Sequence, residues 1–362
     1  MKKVGFLIQG KTFLKSIFPL VVFANRSIPS IDCTLYLYSK RSGKPYDNLD
    51  MEYVSLLFDR LGISGTRVVV VGNDNDVLVD SRENGVGNII CQDAQHHGRA
   101  FCVNKDMVVF SIGVFFDSLH FANTTRLSKS KPQPMPNVMY FPNSKFSSEF
   151  ERIMPNEHIG KCSLRPLGSP LYDHSLFVDV ADRPNKSVCF LSTLQNLVSK
   201  ETQRELEEFI RFCNKTNVDF IMKVKNKTPW MFMDGTLNDK VILVDSELGF
   251  PYTSLDLILN TDLHISSYST SACEAQYFCK PCINLESVSK DNLIYAIRSI
   301  KCDYKFNDLF NSDICKTVSK NIVGSFIDLI GDQINEKHDV ALLTMEDNNS
   351  IRILNDIAIE AQ

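Results

Sequence analysis

The chain has 362 residues, too many for one ordinary α/β core and enough for two. With 44% hydrophobic and 23% charged residues it reads as globular, and a net charge of −4 supplies no field that would draw nucleic acid or an anionic surface. Eleven cysteines, odd in number and scattered from Cys33 to Cys315, argue for reduced thiols in a cytoplasmic protein and against a disulfide framework.

In chain order, Met1-Lys2-Lys3 precedes an apolar run, Val4–Ile8, too short for a secretory signal and followed by no small-residue cleavage site; it reads as a first buried strand. No stretch reaches the length of a membrane-spanning helix. Short apolar runs then alternate with longer mixed segments, as in a parallel sheet with helical crossovers. Strands are expected at Thr34–Tyr38, Val68–Val71, Asn88–Cys91, Met107–Ser111 and Val138–Phe141, with a helix over Met51–Leu61. Asp74-Asn75-Asp76 stands between Val68–Val71 and Val77–Val79, where it reads as a hairpin turn; a D-x-D can also hold a metal–diphosphate. A polar stretch with Pro184 marks a boundary between Gly168 and Lys186, after which the alternation restarts. Strands are expected at Val188–Leu191, Asp219–Val224, Val241–Val244, Leu263–Ser266 and Cys282–Leu285. The helices expected among and after them are Lys200–Asn214, Ser254–Leu259, Thr270–Phe278, Asp291–Ile300, Asp313–Ile330 and a final amphipathic Asn349–Gln362. The resulting division is 1–175, 186–348 and 349–362.

The densest chemistry lies in Thr261-Asp262-Leu263-His264-Ile265-Ser266-Ser267-Tyr268-Ser269-Thr270-Ser271-Ala272-Cys273-Glu274-Ala275, closed by Lys280-Pro281-Cys282. A strand ends in a run of hydroxyls that opens a short helix. Ser269, Thr270 and Ser271 can cap that helix, which is all the pattern need mean; the same free N–H groups at the positive end of the dipole also suit a phosphate. Glu274 stands about one turn in, an exposed carboxylate within reach of a ribose. At the end of an earlier strand, Lys223 and Lys225 alternate onto one face, either as solvated charge or as partners for phosphate. In the first half, Gln95-His96-His97-Gly98-Arg99 follows a strand. His97 or His96 could take a proton near neutral pH, and Arg99 could offset phosphate charge; two loop histidines on the surface are the plainer reading. Cys279 and Cys282 spell C-x-x-C, but at a helix C-terminus, where nothing lowers a thiol pKa; buried, reduced thiols are expected.

The Ser266–Pro281 block resembles the donor-binding motif of GT-B transferases of bacterial surface-polysaccharide and wall-polymer synthesis. Relatives of that motif occur in the glycerophosphotransferases of teichoic acid synthesis, the capsule Kdo transferases and the non-hydrolysing UDP-GlcNAc 2-epimerases. Gln95-His96-His97-Gly98 is similar to their H-G turn, and Leu167-Gly168-Ser169-Pro170-Leu171-Tyr172-Asp173 to the G-x-P-x-x-D segment before their interdomain hinge. Two departures stand out: Cys279 replaces the usual glycine before Lys-Pro, and no His-Pro follows Lys223 and Lys225. The resemblance implies an α/β protein of GT-B type, two Rossmann-like domains facing across a cleft, with the last helix packed back on the N-terminal one. It implies an inverting, metal-independent transfer from a nucleotide-activated donor to a glycan or lipid-linked glycan. No cofactor and no nucleic-acid partner are expected, and the enzyme would work in the cytoplasm or peripherally at the inner face of the membrane. Glu274 would hold the ribose, Ser269, Thr270, Ser271, Lys223, Lys225 and Arg99 the phosphates, and His97 or His96 would be the base. A 2-epimerase and a non-catalytic binding protein of the same fold stay open beside it.

Overall fold

A computed structural model of the chain describes residues 1–10, 13–39, 51–92, 94, 98–112, 134–141, 144–153, 160–178, 185–191, 195, 199–223, 230–244, 253–266, 271, 274–275, 278, 280, 282–284 and 349–360. The helices expected at Asp291–Ile300 and Asp313–Ile330 lie outside these residues. The chain divides into two compact units, Met1–Leu176 with Leu342–Gln362, and Phe177–Ala341.

The first unit is built on β1 (Lys2–Ile8), β2 (Ile31–Tyr38), β3 (Arg67–Val71), β4 (Asn88–Gln92), β5 (Val108–Ile112), β6 (Val138–Tyr140) and β7 (Ser163–Arg165). They form one sheet in the order β3-β2-β1-β4-β5-β6-β7, parallel throughout. Covered on both faces, its central strands are apolar at nearly every position: Val4, Phe6, Leu7, Ile8, Ile89 and Ile90 are all fully buried. The helices are α1 (Leu14–Ser27), α2 (Met51–Leu61), α3 (Asp74–Asn84), the single turn α4 (Arg99–Cys102) and α5 (Ser144–Ile153). A 3-10 helix, Pro170–Phe177, closes this stretch.

α1 is not legible in the sequence because Lys15 and Pro19 interrupt its apolar run, yet Pro19 lies inside the helix. A proline there removes the N–H that would bond the carbonyl four residues back. That carbonyl, Lys15 O, receives instead the Nε2–H of fully buried His174 at 2.8 Å.

Asp74-Asn75-Asp76 is no hairpin turn. It opens α3, and Val77 belongs to that helix. Asn73 Oδ1 accepts the N–H groups of Asn75 and Asp76 at 2.8 and 3.3 Å, while Asp76 accepts those of Gly72 and Asn73 at 2.7 and 3.2 Å, a complete capping box. Asp74 accepts the Tyr38 hydroxyl at 2.6 Å.

The second unit holds β8 (Ser187–Leu191), β9 (Asp219–Lys223), β10 (Ile242–Val244), β11 (Leu263–Ser266) and β12 (Cys282–Asn284), parallel in the order β10-β9-β8-β11-β12. α6 (Lys200–Lys215) covers one face, packing Leu206, Phe209 and Ile210 on Val188, Phe190, Phe220, Met222, Leu263 and Ile265. α7 (Thr253–Asn260) covers the other, where Leu257 and Ile258 meet Cys189, Leu191 and Ile221.

The chain ends in α8 (Asn349–Glu360), which belongs to the first unit and packs on α1 through buried Ile351, Ile353, Leu354 and Ile357. Among the described residues no helix is long and apolar enough to cross a membrane.

Candidate functional site

Both sheets reverse direction once in their strand order, between β1 and β4 in the first unit and between β8 and β11 in the second. Open α/β sheets hold ligands at the carboxyl ends of the two strands that flank such a reversal, because the crossovers diverge there and leave a crevice. Each of the two constellations singled out in the sequence follows one of these reversals.

In the second unit the last residues of the strands stand in one line. Val244 pairs with Lys223, Lys223 with Leu191, Leu191 with Ser266, and Ser266 with Asn284. Lys223 is thus two strand spacings, about 10 Å, from the point where the hydroxyl run begins. Alternation along β9 puts Lys223 on the face of Ile221, the face packed by Ala275 of the helical segment after β11. Lys223, Ser271 and Glu274 keep 8%, 5% and 6% of their surface, and each is engaged by a neighbour. The expectation of an exposed Glu274 is therefore corrected. The residue is buried, where a charge persists only when paired or hydrogen-bonded. Ser269, Thr270, Lys225 and Cys279 lie outside the described residues, as does the side chain of Cys282.

Three further residues of the motif serve α7. A helix leaves its last carbonyls without intrahelical partners. Here Thr261 Oγ1 donates to Leu257 O at 2.7 Å, His264 Nε2 to Ile258 O at 3.0 Å, and Lys280 Nζ to Leu259 O at 2.8 Å. Burial, with Lys280 nearby, presses the fully buried His264 imidazole down to about 3, so it stays neutral and keeps the N–H it donates. Burial also lowers Lys280. Sequence reasoning missed these roles. The signal was the spacing itself, a helix end followed at once by residues able to donate.

In the first unit the carboxyl ends of β1 and β4 carry buried Gln9 and Gln92, and Ser16 of α1 donates to Gln92 Oε1 at 2.6 Å. Beyond β4, Ser111 Oγ accepts the Ala94 N–H at 3.0 Å, and the Gly98 N–H closes on Ala94 O at 2.8 Å. Gly98 is required there, since a Cβ would stand 2.7 Å from Cys91 Sγ. His96 and His97 lie outside the described residues. Arg99, exposed, is the first residue of α4, in a different unit from Lys223, Ser271 and Glu274.

The Gly168–Asp173 segment forms a clasp. Asp173, 3% exposed, accepts the N–H groups of Asn349 and Ser350 at 3.1 and 2.6 Å, the Asn349 side-chain amide at 3.1 Å and the Ser350 hydroxyl at 2.5 Å. It caps the N-terminus of α8, and burial raises its pKa to about 6 against the pull of those donors. Gly168, at φ 108°, leaves room for the Asn349 side chain, which any Cβ would strike. Farther along, Arg165 pairs with Asp356 and Glu360, and Tyr140 donates to Asp356 at 2.7 Å.

No family model matches the chain, and no curated protein matches it. Solved structures do. The UDP-GlcNAc 2-epimerase of Methanocaldococcus jannaschii aligns over 82% of this chain and 92% of its own, with a TM-score of 0.53 at 12% identity. S. aureus MnaA, in a co-structure with UDP, aligns over 84% and 89%, with a TM-score of 0.55 at 10% identity. Phytolacca americana UGT2, complexed with UDP-2fluoro-glucose and pterostilbene, aligns over the full length of both chains, with a TM-score of 0.52 at 13% identity. At such identities the likeness is one of fold alone: the chain has the GT-B fold, two Rossmann-like units, each on its own parallel sheet.

Proposed function

We propose that the chain transfers a sugar, or a polyol phosphate, from a nucleotide-activated donor to a surface glycan or lipid-linked glycan at the inner face of the cytoplasmic membrane. The reading is of an inverting transfer that needs no metal. The observation that carries it is the line Lys223, Leu191, Ser266 at the strand reversal of the second sheet, with Ser271 and Glu274 buried just beyond. In this reading the N–H groups from Ser269 through Thr270 to Ser271 take the donor diphosphate, and Lys223 and Lys225 offset its charge. Glu274 holds the ribose hydroxyls. His97 or His96 removes the acceptor proton, and Arg99 adds a cation. Support for a uridine nucleotide comes from the UDP of the S. aureus structure and the UDP-sugar analogue of the Phytolacca structure.

The test is a thermal-shift series with UDP, CDP, CMP and GDP. A true ligand at a hundredfold its dissociation constant adds about 2.7 kcal/mol of stability. Glu274→Gln keeps the shape of the buried group and should weaken that nucleotide by about 1.5–3 kcal/mol. If none of the four nucleotides raises the melting temperature, the donor site is lost, and a non-catalytic protein of the same fold takes its place. With UDP-N-acetylglucosamine and no acceptor, slow release of UDP supports transfer; formation of UDP-N-acetylmannosamine would replace it with 2-epimerisation.

A further inference from the structure

We infer that Gln92 is a sugar-binding residue of the first unit, its side-chain amide donating to a hydroxyl oxygen of the acceptor; the inference rests on the proposed transfer to a glycan. Gln92 ends β4 beside the reversal of the first sheet and keeps 5% of its surface. Ile89 and Cys91 face the cluster that Val77 and Phe101 complete, so alternation turns Ile90 and Gln92 to the opposite face, the one α1 covers. There buried Ser16 of α1 donates to Gln92 Oε1 at 2.6 Å. Two apolar side chains of the same size would fill that layer between sheet and helix at no polar cost, so stability does not call for this pair. The hydrogen bond fixes the amide instead: with Oε1 turned to Ser16, Nε2 is turned away from it. Nε2 carries two N–H donors; no acceptor among the described residues meets it, and it is not one of the polar atoms sealed in the core. A buried donor without a partner is costly, and at the carboxyl end of a strand that flanks a reversal the partner that relieves it is a ligand. An amide brings no charge, so it suits a neutral oxygen, whereas a buried phosphate or carboxylate would need a cation as well. A sugar hydroxyl is such an oxygen, and a site built to donate to it discriminates against analogues that lack it.

The test uses the full chain with its glutamine side chains labelled for NMR, the Gln92 amide being assigned through its own backbone. Glucose, N-acetylglucosamine and chitotriose are titrated in the absence of nucleotide, with inorganic phosphate and acetate as charged rivals. At least one sugar should shift the Gln92 side-chain amide signals saturably. Gln92→Glu keeps an oxygen for Ser16 and removes both donors; it should weaken that sugar about tenfold, read from the backbone amides of β4. Ser16→Ala, which frees the amide to turn, should weaken it too, and stands in should Gln92→Glu fail to fold. Gln92 signals that no sugar moves, or that phosphate or acetate alone moves, overturn the inference. So does a sugar whose affinity survives both substitutions. The donor reading fails separately: it is judged by UDP and residues of the second unit, and a chain that ignores UDP can still bind sugar here.

Discussion

Asp173 and His174 are neighbours in sequence with opposite electrostatic tasks. Asp173 gathers donors at the start of α8, while His174 supplies one to the carbonyl that Pro19 leaves bare. Asp173→Ala strands those donors in a buried place and should destabilise the first unit by about 2–3 kcal/mol in urea unfolding. The titrations oppose each other as well. His174 falls to about 3 from an ordinary 6.5, so the unfolded chain binds a proton that the folded chain refuses, and stability is lost as pH drops below 6.5. Asp173 rises to about 6 from 3.8, so the folded chain binds the extra proton, and stability is gained as pH falls from 6 towards 3.8. Within the first unit the two offset each other between pH 6 and 4. In the second unit His264 also falls to about 3, and Asp234, held low by Thr236 and Arg211, adds to the acid loss instead of opposing it. Acidification from pH 6.5 to 4 should therefore weaken the second unit first, by about 1.4 kcal/mol per pH unit, the slope of one proton. Urea midpoints with one reporter per unit would check this, and equal acid sensitivity of both units would contradict it. His264→Gln should flatten the slope.

At the scale of elements, the sequence shows most where a strand is buried on both faces. Val4–Ile8, Thr34–Tyr38 and Val188–Leu191 fall inside β1, β2 and β8, because a parallel sheet between helices needs unbroken apolar runs. α1 hides for the same reason. It is buried on nearly every side, so no polar face reveals its period, and Pro19 speaks against it until His174 is seen. α3 is obscured by its polarity, though Asn73 and Asp76 spell its capping box. β7, Ser163–Arg165, is a three-residue edge strand too short to show alternation. The places of Lys223 and Ser266 at strand ends were legible because they follow from the alternation. The burial of Glu274 and the tasks of Thr261, His264 and Lys280 were not, because they depend on where α7 ends in space. Deleting α8 tests an element whose amphipathic pattern is plain in sequence. Loss of buried Ile351, Ile353, Leu354 and Ile357 removes about 1.5–3 kcal/mol each, enough to unfold the first unit while the second stays folded, which limited proteolysis would show.

For the molecule as a whole, both sheets use the same winding, with the first strand central and the order reversing beside it. Each unit thus has one preferred place for a ligand, and the two chemical clusters of the sequence follow those places. The first unit, however, is discontinuous: residues 1–176 need 342–362 to complete it. During synthesis the second unit is made between these parts, so the apolar side of α1 leaves the ribosome long before its cover exists. At about 5–20 residues per second, the wait between α1 and α8 is tens of seconds. The N-terminal half of the nascent chain must spend that interval with an open flank, a target for holding chaperones. A ribosome that stops between Ala341 and Asn349 releases a chain whose second unit can be whole and whose first cannot, so cellular quality control has a ready mark by which to recognise the truncated product.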